Sequence, residues 1–388
     1  LTKLLNLNEE KWKEKQGLYT AKEIYQQPEM WNLTLQKILN AQQELKSFLE
    51  EVLANKNIRI ILTGAGTSGF IGDTLINYIK EKYSDLDVVS VHTTNIVSHP
   101  ATYLDKDIPT LLVSFARSGN SPESVATVNL AKQIVNNLYQ LVITCNQAGK
   151  LAKSIEGRKN KVILLPEATN DKGFAMTSSF TSMLLAALLF FNLNKLAELE
   201  PLIKSEVAAA KKVINDFPQF DELLIKKYKK IIYLGSSYFY GLSKEASLKL
   251  LELSAGKTVT KYDTPLGFRH GPKSIIDSET LVVFFLSRSE YARLYEYDLL
   301  RELKEDQVKT FVISDLIDDQ IIELSDYNYK IESNQKLDEV FNSLIYIIFA
   351  QIISLYNSIN NKINPDNPSP DGSVNRVVKG VKIYPYHN

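Results

Sequence analysis

The feature that most constrains this chain is an internal duplication. Ile60-Ile61-Leu62-Thr63-Gly64-Ala65-Gly66 resembles Ile231-Ile232-Tyr233-Leu234-Gly235-Ser236-Ser237, with Gly64 and Gly235 171 residues apart. Arg117-Ser118 and Arg288-Ser289 are separated by the same 171, and Ile143 and Ile313 by 170. Three landmarks at nearly one spacing point to two copies of one unit, so both halves should build the same architecture. In the first copy, short β-branched runs at 58–62, 88–92, 110–115, 141–144 and 162–165 alternate with helical patterns. That alternation predicts an α/β fold, each half a parallel sheet covered by helices on both faces. Two tandem domains follow, 55–195 and 215–356, with a helical connection between them. Residues 1–54 read as a helical extension, with Pro28 in a first turn and Trp31, Leu35, Ile38, Leu45 and Leu49 at helical spacing. The run Asn364-Pro365-Asp366-Asn367-Pro368-Ser369-Pro370-Asp371-Gly372 cannot be helical, which makes 360–388 an extended tail.

Composition narrows the function. Lys+Arg and Asp+Glu are both 45, so the net charge is zero. A general nucleic-acid binder needs a basic surface to displace counterions, and a polybasic membrane anchor needs one too; neither is expected. The single Cys145 excludes an intramolecular disulfide and a zinc site built on several cysteines, and it fits a reducing cytoplasm. The histidines His92, His99, His270 and His387 lack H-E-x-x-H spacing, and no metal or other cofactor is expected. The start of the sequence carries acids and no long apolar stretch, unlike a signal peptide. The longest apolar runs, 183–191 and 344–356, fall short of the ~20 residues a membrane span needs.

Three groups of residues have the types that chemistry requires. Thr67 and Ser68 follow the first strand, and Arg117-Ser118-Gly119-Asn120-Ser121 follows the third. Ligands of open parallel sheets sit outside the carboxyl ends of the strands. Hydroxyls, glycine N–H groups, a helix N-terminus and an arginine there suit a phosphate. Either loop alone reads as an ordinary turn or cap; two in one domain favour a ligand. The pattern is neither G-x-G-x-x-G with an acid nor a P-loop, which disfavours a dinucleotide or ATP. Next, Glu245, Lys249 and Glu252 at i, i+4 and i+7 share one helix face. Spacing alone weights them toward a solvent-exposed ion pair worth ~0.3–0.5 kcal/mol. Finally, His270 stands between glycines and a proline in Gly267-Phe268-Arg269-His270-Gly271-Pro272. A shaped loop of that kind is as consistent with a structural histidine as with a functional one near neutral pKa.

Together these residues resemble the sugar isomerase (SIS) domain family, in its double-domain form related to the isomerase half of glucosamine-6-phosphate synthase. Lys22-Glu23-Ile24-Tyr25-Gln26-Gln27-Pro28 resembles the start of that module, and Gly66-Thr67-Ser68 its G-T-S. Arg117-Ser118-Gly119-Asn120-Ser121 resembles its phosphate loop, with Ala116 in place of a serine and Arg117 in place of a glutamine. Glu245-Ala246-Ser247-Leu248-Lys249-Leu250-Leu251-Glu252-Leu253-Ser254 resembles its E-x-x-L-K-L-x-E-x-S helix. Arg269-His270-Gly271-Pro272 resembles its H-G-P loop, and Val378-Lys379-Gly380-Val381 its A-K-S-V tail. The start ending at Trp31 and the F-R-H-G-P-K loop are similar to the galactosamine-6-phosphate deaminase/isomerase branch, whose members are often described as tagatose-6-phosphate ketose/aldose isomerases.

The resemblance implies roles residue by residue. Glu252 matches the general base that moves a proton between C2 and C1 of the open-chain sugar. His270 matches the ring-opening histidine, which in relatives comes from the neighbouring subunit and implies at least a homodimer. Lys379 matches the tail lysine that closes over the site, and Lys249 a helix lysine facing the sugar. Thr67, Ser68, Ser118 and Ser121 match phosphate contacts; Arg117 and Glu245 are counted with the substrate-binding set. About 20 residues precede the module, so no glutamine-hydrolysing half is expected in cis, and release of ammonia from an amino sugar is the expected direction. The partner is a phosphorylated hexosamine or ketohexose, and the expected reaction gives tagatose 6-phosphate and ammonia from galactosamine 6-phosphate. Glucosamine-6-phosphate deamination and plain ketose/aldose isomerisation are the enzymatic alternatives, and a non-catalytic sugar-phosphate sensor is the alternative of another class.

Overall fold

A computed structural model describes residues 3–372, 374–378 and 380–387. It contains two five-stranded sheets, all of whose recorded strand pairings are parallel. The first is built from β1 (Arg59–Thr63), β2 (Asp87–Ser90), β3 (Thr110–Ala116), β4 (Leu138–Thr144) and β5 (Asn160–Leu164), in the order β2-β1-β3-β4-β5. The second uses β6 (Lys230–Gly235), β7 (Val259–Asp263), β8 (Thr280–Phe285), β9 (Lys309–Ser314) and β10 (Tyr327–Lys330), ordered β7-β6-β8-β9-β10. Counted from each sheet's own first strand, the two orders are identical. The order reverses between the first and third strands, and that crevice is where such sheets bind ligands.

The duplication extends to the ladder. Arg59 pairs with Thr110 in the first sheet and Lys230 with Thr280 in the second. The first strands are therefore offset by 171 residues and the third strands by 170. Ile143 pairs with Phe115, and Ile313 with Phe285, at the same 170. The loops that follow diverge: five residues join β3 to the helix α1 (Pro122–Ile134), and four join β8 to its counterpart. In ladder register Ser287 stands where Arg117 stands, and Arg288 lies one residue further on.

By internal packing the chain divides into two units. One comprises residues 1–28, 172–177 and 201–370 and holds the second sheet; the other comprises 29–171, 178–200 and 371–388 and holds the first. In the unit of the first sheet, Ile61, Leu112, Val128 and Val142 are buried in one cluster. In the other, Ile232, Val282, Leu299 and Val312 do the same. The strands are apolar on both faces because helices cover both. The helix Ser178–Phe190 is buried at every position, as suits a sequence apolar all round.

The opening residues belong with the second sheet. The Trp12 indole N–H donates to the Leu4 carbonyl at 2.8 Å, and the Trp12 ring meets Tyr356 edge-on at 6.1 Å. Asp366, in the proline-rich run, accepts from the Tyr19 and Thr20 amides at 3.0 and 2.8 Å and so caps the helix Leu18–Tyr25. Among the described residues, one unbroken helix, Glu339–Asn360, is by length and composition alone fit to cross a membrane, longer than the apolar run had suggested; 89% of its apolar window is buried within the protein. It is a core helix, tied to the opening segment by Gln27 and Gln351 at 2.8 Å.

Candidate active site

In the first sheet, both loops at the reversal point start helices. Gly64 lies against the backbone of Ser68, where any Cβ would stand 2.4 Å from the Ser68 carbonyl carbon. That contact lets the chain turn directly from β1 into the helix Thr67–Lys82, with Thr67 and Ser68 in its first turn and both buried. Gly66 makes the turn at φ +54°, a backbone that glycine alone adopts without strain. A helix N-terminus with two hydroxyls has the donors that an anion requires.

The loop after β3 is more engaged than its sequence suggests. Arg117 is buried and donates through Nη2 to the backbone carbonyl of Arg376 at 2.7 Å. The Ser118 carbonyl accepts from the Asn146 side chain at 2.8 Å, and Asn120 receives the Lys150 amide at 3.0 Å. Ser121 caps α1 by position and gives its hydroxyl to Ser124 at 2.6 Å. Arg376 itself reaches the Asp171 carbonyl and the Asn170 side chain. Further along the tail, the Tyr386 carbonyl accepts from Gln133 at 3.0 Å. The tail is thus fastened to this unit on either side of Lys379, and Lys379 itself lies outside the described residues. Sequence reasoning missed Arg376 and Asp171; the one available signal was an arginine three residues before Lys379.

The acid–base helix belongs to the other unit. It is α2 (Tyr238–Leu253), which follows β6 through Ser236 and Ser237. Gly235 repeats the role of Gly64, lying against Phe239 where a Cβ would come within 2.6 Å. Ser237 holds φ +50°, the conformation that Gly66 has in the first copy. On α2 the spacing predicted a shared face, and that face is present. It is not a solvated ion pair. Glu245 and Lys249 are fully buried, and Glu252 is a quarter exposed. Lys249 Nζ lies 3.4 Å from Glu245 Oε1 and 2.5 Å from Glu252 Oε2. A buried lysine between two carboxylates orients Glu252, whose side chain stays partly exposed. That is the arrangement a positioned proton carrier requires.

His270 stands exposed at the tip of the loop after the short helix Pro265–Phe268. Its flanks are pinned to the end of the helix α3 (Glu290–Glu305), Arg269 reaching Glu302 at 2.7 Å and Lys273 reaching Asp306, the C-cap, at 2.6 Å. The His270 ring makes no hydrogen bond among the described residues, so a rigid loop presents a free imidazole. Cys145 offers no competing nucleophile, because burial pushes its thiol up to about 12. Glu23 of the K-E-I segment is buried and receives the Lys172 and Gly173 amides, which makes it a structural cap.

The SIS domain profile matches residues 52–193 and 224–359. The D-galactosamine-6-phosphate deaminase AgaS of Shewanella sp. (strain ANA-3) is 41% identical over 373 residues, 95% of this chain and 92% of that protein. The crystal structure of tagatose-6-phosphate ketose/aldose isomerase from Escherichia coli superposes with a TM-score of 0.87 at 37% identity, covering 96% of this chain and 98% of that one. A Clostridium novyi NT protein provisionally described as a tagatose-6-phosphate ketose/aldose isomerase matches with a TM-score of 0.96 at 47% identity over the whole of both chains.

Proposed function

The chain belongs to the SIS domain family, and from that premise we propose that it is an amino-sugar-phosphate deaminase/isomerase acting on D-galactosamine 6-phosphate. The observation that carries the chemistry is the buried Lys249 flanked by Glu245 and Glu252 on one helix face. Glu252 removes the C2 proton of the open-chain sugar and returns it to C1. With a 2-amino sugar the product of that transfer is a C2 imine. Water adds to the imine carbon, ammonia leaves, and tagatose 6-phosphate remains. Lys249 holds Glu252 in place and balances its charge. Thr67, Ser68, Arg117 and Ser118 hold the phosphate, and Ser121 caps the helix behind them. His270 opens the pyranose ring, and Lys379 closes over the sugar.

The test is ammonia and ketose formation across a panel of hexosamine 6-phosphates. Turnover of the galacto epimer above the gluco epimer supports the assignment. Preference for glucosamine 6-phosphate, or isomerisation of ketose without ammonia release, replaces it with one of those activities. Binding without turnover makes the chain a sensor.

The free, exposed His270 imidazole supports donation to a second copy of the chain, in a homodimer or larger assembly. Mixing inactive Glu252→Gln with inactive His270→Ala should then recover up to about a quarter of wild-type activity, because a mixed dimer contains one complete site. Mixed dimers that stay inactive sink that arrangement. The lone, buried Cys145 fits a cytoplasmic setting.

A further inference from the structure

The reversal point of the second sheet is filled by the protein itself. The loops there are the counterparts of those assigned above to phosphate: Ser236-Ser237 after β6 and 286–289 after β8. One carboxylate joins them. Glu296 Oε1 accepts from the Ser236 hydroxyl at 3.0 Å, and Glu296 Oε2 accepts from the Ser287 amide at 3.3 Å. Glu296 is fully buried. A second carboxylate, Glu339, takes the Ser287 hydroxyl at 3.2 Å and the Arg288 amide. The Arg288 guanidinium faces away from the loop, bound to Asp315 at 2.6 Å and to the Leu337 carbonyl at 2.5 Å. Donors that would face a ligand therefore face side chains.

The difference from the first sheet lies in one helical position. Ser121 and Ser289 occupy the N-cap positions of α1 and α3. Seven residues beyond Ser289 stands Glu296; seven beyond Ser121 stands Val128, buried in the apolar core. The same turn of helix carries a core valine in one copy and a carboxyl group bound to the strand-end loops in the other.

We propose that Glu296 is a positioning residue for the reaction, a built-in anion that takes a ligand's place at the second reversal point and ties the start of α2 to the sheet. This rests on the proposed role of Glu252, which α2 carries. The Phe239 amide bonds to the Ser236 carbonyl at 3.0 Å, so Ser236 belongs to the first turn leading into that helix. A helix transmits displacement of its first turn along its length, and α2 is 16 residues long. The groups around the Glu296 carboxylate are Ser236, the Ser287 amide, Arg293 one turn back on α3, and Glu339. Arg293 is occupied by Ser314 and the Leu316 carbonyl.

Two measurements decide it. In Glu296→Ala, kcat should fall about tenfold with KM changed less than about twofold, the signature of a misplaced catalytic group rather than lost binding. Formate, a carboxylate small enough for the vacated space, should restore at least about a third of the lost kcat. A folded variant with wild-type kcat, or one that formate does not help, overturns the proposal. Glu296→Gln keeps the shape without the charge and should lie between the two; if Glu296→Ala does not fold, wild-type kcat in Glu296→Gln overturns it.

Wild-type crystals soaked in sulfate supply the second test, which needs no turnover. Sulfate on Thr67 and Ser118 with Glu296 still on Ser236 and Ser287 is the expected result. Sulfate between Ser236 and Ser287, with Glu296 displaced, overturns the built-in anion and leaves the phosphate assignment standing. Sulfate at neither place sinks the phosphate assignment and leaves Glu296 in its role.

Discussion

The two reversal points start from one backbone plan. In the first sheet, Thr67, Ser68 and the loop from Arg117 to Ser121 follow the strand ends at the reversal point, and the position on α1 that matches Glu296 is Val128, buried in the apolar core. In the second sheet the equivalent loops are bridged by Glu296 and Glu339, and the partly buried Arg288 is bound to the buried Asp315. A scaffold whose strand ends offer backbone N–H groups always needs an acceptor there. A ligand can supply it, or a side chain can. Where a side chain does, the crevice becomes a joint, and the helix leaving it is held firmly enough to carry acid–base chemistry. On the reading proposed above, one fold serves two purposes, and the difference is carried by Glu296 on the helix after the third strand together with Glu339.

The sharpest way to break this division of labour is on α2. Glu252→Gln should lower kcat by ~10²–10⁴, the usual contribution of a positioned acid or base, with phosphosugar binding retained. Near-wild-type turnover removes Glu252 from the mechanism.

The two arginines should behave as opposites. Arg288→Ala leaves the buried Asp315 without its cation and should cost ~3–5 kcal/mol of stability, with KM unchanged in the protein that folds. Arg117→Ala with Ser118→Ala should instead raise KM ~10–100-fold, the worth of one charged hydrogen bond to a phosphate. Urea midpoints and steady-state kinetics on both variants check this. A large KM rise in Arg288→Ala, with no stability loss, would reverse the comparison.

Acidity gives a smaller effect. Burial pushes the Glu296 carboxyl up to about 7, and the Ser236 and Ser287 hydrogen bonds only partly oppose this. Between the unfolded value and about pH 7, the native protein keeps a proton that the unfolded chain gives up. Stability from this group therefore falls as pH rises through that window, by up to ~3 kcal/mol. Glu206 and Glu339, also raised by burial, act in the same direction. Chemical denaturation of wild type and Glu296→Gln at pH 5 and pH 8 isolates the Glu296 part; parallel profiles would count against it.

The smallest contrast is in the backbone. Gly66 and Ser237 hold the same left-handed turn, at φ +54° and +50°. Gly66→Ala should cost ~1–3 kcal/mol through strain alone, since a Cβ there meets nothing within 4 Å. Ser237→Gly should gain ~1 kcal/mol by relieving it. Melting temperatures that fail to move in opposite directions deny the equivalence of the two turns.

Much of the fold was legible because it is written in local spacing. Each β-branched run ends in a polar turn, and the observed strands lie within three residues of the runs read from the sequence. The helix face of Glu245, Lys249 and Glu252 follows from 3.6 residues per turn. Spacing erred on its environment: an exposed pair was expected, and the packed α2 buries Glu245 and Lys249 completely. The Arg-Ser landmark also misled in detail. Arg117 and Arg288 share an offset in sequence, yet the ladder aligns Arg117 with Ser287, because β3 and β8 are offset by 170 and the loops differ in length.

What the amino-acid sequence determined by itself was the duplication, the parallel sheets, the polar loops at their strand ends and the ordering of acids along one helix. The strand runs, the polar loops and the helix face depend on residues within a few turns of one another, and the duplication shows as one such local pattern written twice. Only the tertiary structure decided which carboxylates are buried, that Glu296 rather than a ligand meets Ser236, and that Arg117 is met by the carbonyl of a residue 259 positions away. Those pairings are set by packing between distant segments. The cost of burying an unpaired charge or donor then favours, among many possible contacts, those that give buried polar groups a partner.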